Sequence, residues 1–155
     1  MTTQADKGEW RGGCQCGAVR YVLTAPPSGV NICHCRMCQK AGGAPFMAFA
    51  GAPLSALVWT RGAPKIFVSS AIAERGFCAE CGTPLTYRPY AHDRIAVTIA
   101  SLDDPASVAP KRQFGVESKL PWIEAALTLP GTKTDEWQKL DEAALASRQH
   151  PDHET

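Results

Sequence analysis

The spacing of seven cysteines constrains this chain more than any other feature. They fall in three clusters: Cys14-x-Cys16, Cys33-x-Cys35-x-x-Cys38, and Cys78-x-x-Cys81 with Gly82 directly after. Four thiols close one tetrahedral zinc site, and three make a second with a vacant position. A site with four protein ligands is structural, whereas one with three can bind and activate a water or a substrate. The odd count favours metal over disulfides. So does the polar start, MTTQADKGEW, which reads as lacking a signal peptide and sets the expected location as cytoplasmic, where thiols stay reduced.

An extended Cys-x-Cys pair turns both thiols to one face, so Cys14 and Cys16 supply half a site and Cys78 and Cys81 the matching half. Joining these halves closes a loop of about 60 residues, and structural zinc can contribute on the order of 10 kcal/mol to folding. Cys33, Cys35 and Cys38 then stand together as a local triad able to hold one face of a second ion. His34 lies between two of these ligands and is expected to point away from them. Spacing alone leaves two other partitions open: one zinc on the central cluster with borrowed ligands, or a redox pair at Cys78 and Cys81.

At 155 residues, 45% of them hydrophobic and 20% charged, the chain fits a single domain with a core of its own. No apolar run approaches the ~20 residues that cross a bilayer, so no membrane partner is expected. The formal net charge is +1 and like charges do not cluster, which argues against nucleic acid as a partner. Twelve prolines and thirteen glycines leave only short apolar segments, of strand rather than helix length. The expected fold is mainly β, with strands at 19–24, 45–50, 56–60, 65–69, 84–88 and 95–100. Arg61-Gly62-Ala63-Pro64 reads as a hairpin turn. One helical turn is expected from Cys35 to Lys40, ended by Gly42-Gly43. A short C-terminal helix is expected from Asp135 to Ser147, on the spacing of Trp137, Leu140, Ala144 and Leu145, followed by a frayed polar tail from Arg148. Trp10, Trp59, Trp122 and Trp137 are scattered and expected to anchor the core.

Five ordered motifs go further than any single Cys-x-x-Cys. They are Gly13-Cys14-Gln15-Cys16-Gly17; Cys33-His34-Cys35-Arg36-Met37-Cys38-Gln39-Lys40 with Gly43-Ala44-Pro45-Phe46; Gly76-Phe77-Cys78 through Cys81-Gly82-Thr83-Pro84-Leu85; Ser101-Leu102-Asp103-Asp104-Pro105; and Pro121-Trp122-Ile123. With these motifs the chain resembles the glutathione-dependent formaldehyde-activating enzymes (GFA domain), from about Gly12 to Pro130. The resemblance implies Mss4-like, zinc-braced stacked β-sheets in a single domain over 1–155. A GFA-like zinc domain would cover about 12–130, with a C-terminal helix and tail over 131–155. It implies two zinc ions, one structural on Cys14, Cys16, Cys78 and Cys81 and one catalytic on Cys33, Cys35 and Cys38. The activity implied is that of a carbon–sulfur lyase, S-hydroxymethylglutathione synthase-like, joining glutathione to formaldehyde. The chain departs from the family after Trp122, where Glu124-Ala125-Ala126-Leu127-Thr128-Leu129-Pro130 replaces the usual acidic residue and glycine before Leu-Pro.

A thiol that displaces water from an open zinc position loses its proton there and becomes a nucleophile for an aldehyde carbon. Three thiolates leave the zinc a weaker Lewis acid than three neutral histidines would, which favours thiol exchange over hydrolysis. His34, His92, Asp103, Asp104 and Glu117 are candidates for proton transfer, and Arg36 and Lys40 for binding glutathione's carboxylates. The alternative is a non-catalytic zinc-binding module that binds a protein partner. Thiol–disulfide or sulfoxide chemistry is a third reading, and oligomerisation is left open.

Overall fold

The computed structural model describes residues 8–138 and 142–155. Ten strands follow in chain order: β1 (Trp10–Gly13), β2 (Arg20–Leu23), β3 (Ser28–Cys33), β4 (Met47–Pro53), β5 (Leu57–Arg61), β6 (Lys65–Ser70), β7 (Ala73–Phe77), β8 (Pro84–Pro89), β9 (Arg94–Thr98) and β10 (Arg112–Phe114). They form a three-stranded sheet in the order β1-β2-β5 and a seven-stranded sheet in the order β10-β3-β4-β9-β8-β7-β6. The β10–β3 pair is parallel, and the other described strand pairs are antiparallel. The fold is thus mainly β in two sheets.

Strand alternation gives the large sheet two different faces. One face, carrying Val30, Ala50, Ala52, Leu85 and Val97, packs with Tyr21 and Leu23 of the small sheet to make the main core. The other face carries Met47 and Phe49, which pack with Cys38 in a second, smaller cluster bordered by Cys33, Cys35, Tyr87 and Ala96. Helix α1 (Arg36–Gly42) lies at this second face, so the central cysteines and the main core sit on opposite sides of one sheet.

All six expected strands are present within a few residues. Four others, β1, β3, β7 and β10, were not expected. The expected hairpin at Arg61–Pro64 is a crossover instead, because β5 and β6 belong to different sheets. Gly62, at φ +58°, makes that passage against the Ala18 carbonyl, where a Cβ has no room. The expected α1 is present, with Gly43 left-handed at φ +59° donating its N–H to the Gln39 carbonyl.

Beyond β10 come α2 (Ile123–Ala126), α3 (Thr134–Gln138) and α4 (Glu142–Leu145). The last two overlap the helix expected at 135–147, of which residues 139–141, Leu140 among them, lie outside the described residues. The tail expected to fray is instead docked. The His150 N–H donates to the Gln15 carbonyl at 2.8 Å, Arg61 Nη2 donates to the Thr155 carbonyl at 2.7 Å, and Glu154 reaches Arg20 at 3.2 Å. No helix among the described residues is long and apolar enough to cross a membrane.

Candidate metal centres

All seven cysteines are free thiols. The fold gathers them into two groups, Cys14, Cys16, Cys78 and Cys81, and Cys33, Cys35 and Cys38. Within each group the sulfurs lie within 4.8 Å of one another. The donor sets suit a soft, tetrahedral ion. A tetrahedron with metal–sulfur bonds of about 2.3 Å has edges of about 3.8 Å. The measured Cys14–Cys16 and Cys16–Cys78 sulfur separations are 3.6 and 3.8 Å. Either group could hold a metal ion.

The four-thiol group is built from two turns of one design. Each begins with a cysteine whose N–H pairs across the turn, Cys14 to the Val19 carbonyl and Cys78 to the Thr83 carbonyl. In each, a glycine N–H returns to that cysteine's carbonyl, from Gly17 and from Gly82. Both glycines stand at φ +78°, a conformation that costs other residues strain. Cys14 and Cys16 thus converge through a turn, not through the extended strand expected. The Val19 N–H donates to Cys14 Sγ at 3.2 Å. The Thr83 hydroxyl, already accepting from the Gln15 N–H at 3.0 Å, has its own proton free for Cys81 Sγ at 3.1 Å.

The three-thiol group spans the end of β3 and the first turn of α1. Cys35 caps this helix, its sulfur accepting from the Cys38 N–H at 3.4 Å. His34 points the other way, as strand alternation requires. It is buried, with Nε2 3.0 Å from Gln113 Oε1 and its ring against Phe46. Gly115 holds Cys35 from outside: a Cβ there would stand 2.8 Å from Cys35 Cα. Buried Gln39 ties α1 to that same segment, donating from Nε2 to the carbonyls of His34 at 2.7 Å and Ser118 at 2.8 Å.

Proton affinities within each group conflict. At Cys81 burial acts upward, but the Thr83 hydroxyl, the Thr83 and Cys16 N–H groups and the Cys16 thiol outweigh it, bringing Cys81 down to about 6. The Ala18 N–H acts downward on Cys16, yet burial and the thiols of Cys14, Cys81 and Cys78 push it up to about 12. In the triad, burial drives Cys33 up to about 12. Burial also acts upward on Cys35, where the Cys38 N–H and the neighbouring thiols prevail and lower it. In each group one thiol is lowered while a neighbour is raised, and a divalent cation would favour the ionised form of all of them.

The proton-transfer candidates are dispersed. Asp103 is taken by Arg20, which donates to both carboxylate oxygens at 2.8 and 2.6 Å beside the four-thiol turns. His92 and Asp104 lie in exposed loops. Glu117 is exposed and stands two residues beyond Gly115, whose backbone packs against Cys35. Arg36 and Lys40 project from α1 into a groove of about 790 Å³, completed by Gln39, Gly43–Pro45, Ser118, Leu120 and Trp122. Trp122 is therefore an exposed groove wall, not the core anchor expected.

Sequence reasoning missed Arg75. It lies on β7, buried, with Nη2 3.3 Å from Cys38 Sγ, Nη1 3.7 Å from Met47 Sδ and its guanidinium 5.1 Å from the Tyr87 ring centre. The one available signal was a charged residue two positions before the Phe77-Cys78 motif.

Comparison with known proteins agrees with this architecture. A Rhodobacter sphaeroides protein of known structure superposes with a TM-score of 0.54 over 66% of this chain and 98% of its own, at 24% identity, which is a likeness of fold. A Schizosaccharomyces pombe protein named as an uncharacterized lyase is 33% identical over 79 residues, 51% of this chain. The match spans only 57% of that relative's length. A Halomonas elongata protein is 29% identical over 73% of this chain and 78% of its own; its name assigns it provisionally to the glutathione-dependent formaldehyde-activating enzymes. The family model of that description matches residues 9–118, which carry all seven cysteines, both turns and α1. The chain belongs to the glutathione-dependent formaldehyde-activating enzyme family.

Proposed function

We propose that this protein is a zinc-dependent carbon–sulfur lyase or synthase of small thiol adducts, acting on glutathione and formaldehyde or a closely related pair. The observation that carries this reading is the triad Cys33, Cys35 and Cys38, which converges without a fourth metal-ligating side chain among the described residues. Zinc there would supply a position at which an incoming thiol gives up its proton. Zinc on Cys14, Cys16, Cys78 and Cys81 would be structural. A reduced, cytoplasmic setting suits both.

The chain's own residues supply the rest. Cys35, capping α1, and Cys33, ending β3, fix the open side of the triad, while Gly115 and Gln39 keep the segment 113–118 against it. Arg36 and Lys40 present cations to the carboxylates of a peptide thiol lying in the groove, and Trp122 and Leu120 give it an apolar wall. In synthesis the thiol sulfur bonds to the aldehyde carbon, the carbon–oxygen π bond opens, and the oxygen ends protonated. Glu117 is the proposed carrier of the thiol's proton, and the lyase direction reverses each step.

The test is NMR exchange between glutathione and its hydroxymethyl adduct at fixed formaldehyde, with zinc-loaded wild type and Cys35→Ser. Acceleration by the wild type alone is expected. Equal rates with and without wild-type protein carrying both zincs would overturn the activity. One feature favours the alternative, a non-catalytic zinc module that binds a protein: edge strand β6 exposes Ile66, Phe67 and Val68. A central metal whose coordination ignores glutathione would support that alternative.

A further inference from the structure

Two arginines are buried in the described structure, and they are treated differently. Arg20, 2% exposed, has Asp103 on both sides of its fork. Arg75, 8% exposed, has no carboxylate within salt-bridge reach among the described residues. A buried cation without an anion is costly, so its balancing charge must come from what it touches. It touches Cys38 Sγ, the Tyr87 ring and Met47 Sδ. Of these the Cys38 sulfur, 3.3 Å away, is the atom that a bound metal ion would hold as an anion, and it is one of the three convergent thiols.

Its placement follows from strand register. Arg75 pairs with Tyr87, and Tyr87 with Ala96, so the three share the face that carries the triad's small apolar cluster. Tyr87 below and Met47 beside the guanidinium leave it directed at the sulfur side of the site. Three thiolates on a divalent ion carry one excess negative charge, and an incoming thiolate adds another. Left alone, this charge favours neutral water in the fourth position over an anionic sulfur.

We propose that Arg75 is the charge-balancing, positioning residue of the central site, and that it makes the vacant position select an anionic small thiol over water. The inference rests on the thiol-exchange reading above and names what makes that exchange favourable. Arg75 acts on the sulfur through Cys38, and recognition of the rest of the thiol is left to the groove. Its effect is therefore the same for a thiol with carboxylates and one without.

Cobalt(II) in place of zinc gives visible absorption that separates three-sulfur from four-sulfur coordination. Cobalt-loaded wild type, Arg75→Met and Arg75→Lys are titrated with glutathione and, separately, with 2-mercaptoethanol. For both thiols, the Arg75→Met midpoint is expected to rise about tenfold or more, the size of effect one charge has at this range in partly buried surroundings. Arg75→Lys is expected to restore it to within about threefold, since a lysine keeps the charge but not the fork. Arg75→Gln, a neutral donor, should behave like Arg75→Met. An unchanged Arg75→Met midpoint overturns the proposal, and so does a loss seen with glutathione alone, which would make Arg75 a carboxylate binder. If Arg75→Met loses the central cobalt while Arg75→Lys holds it, charge balance is supported. If both lose it and keep the four-thiol ion, the role is packing and the proposal fails. A wild-type spectrum indifferent to both thiols overturns the thiol-exchange reading and this proposal with it, whereas a responsive wild type with unaltered variants overturns this proposal alone.

Discussion

The two thiol groups of this molecule differ in what surrounds them. The four-thiol group is held mainly by backbone: two like turns, two glycines at φ +78°, and a Val19 N–H on Cys14 Sγ, with the Thr83 hydroxyl on Cys81 Sγ. Two of its cysteines, Cys14 and Cys78, belong to the main core. The three-thiol group is framed by side chains, Gln39 tying α1 to the segment after β10 and Arg75 reaching Cys38 Sγ, on the opposite face of the large sheet. A backbone cage is suited to permanence, because nothing in it can be exchanged without undoing the turns. A side-chain frame leaves one direction open and can be tuned one residue at a time.

The contrast is broken most sharply by removing one thiol from each group. Cys78→Ser should abolish the cooperative thermal transition, since a structural zinc ion held by the four thiols would contribute on the order of 10 kcal/mol. Cys35→Ser should melt within a few degrees of wild type. Circular dichroism melts decide this, and similar losses in both variants would erase the distinction. Asp103→Asn strands buried Arg20 and should cost about 3 kcal/mol in urea unfolding while leaving thiol affinity intact, unlike the Arg75 variants. Gly115→Ala forces a side chain into φ +63° against Cys35. A loss of about 1–2 kcal/mol is expected, with central but not four-thiol metal content reduced in elemental analysis. Thr83→Val removes the hydroxyl shared by Gln15 and Cys81 and should cost about 1 kcal/mol with glutathione exchange unchanged. Smallest of all, Glu154→Gln weakens a half-exposed contact to Arg20, and less than about 1 kcal/mol should register in the same unfolding assay.

The cysteine groups were readable because metal-ligand spacing is local and strand alternation sends His34 one way and its neighbours the other. Arg75 was not readable, since its contact with Cys38 spans 37 positions and depends on the order of the three strands between β7 and β3. β10 escaped notice because Arg112-Gln113-Phe114 is short, exposed and paired in parallel with a strand some eighty residues earlier in the chain, a match with no local pattern. Arg61–Pro64 has turn chemistry, but turn chemistry does not say whether the chain returns to the same sheet. The tail from Arg148 is polar and reads as solvated, yet its polar groups find partners on Arg20, Arg61 and Gln15.

The opposition of His34 to Cys33 and Cys35 has a consequence for assembly. A slip of one residue between β3 and β4 would carry the imidazole into the triad and turn both thiols toward the main core. The register of β3 with β4 and β10 therefore decides on which face of the sheet the three sulfurs lie. An ion held by all three sulfurs on that face would favour the chain with the sheet in this register, so that its binding would act as an inspection in which a misaligned chain fails to qualify.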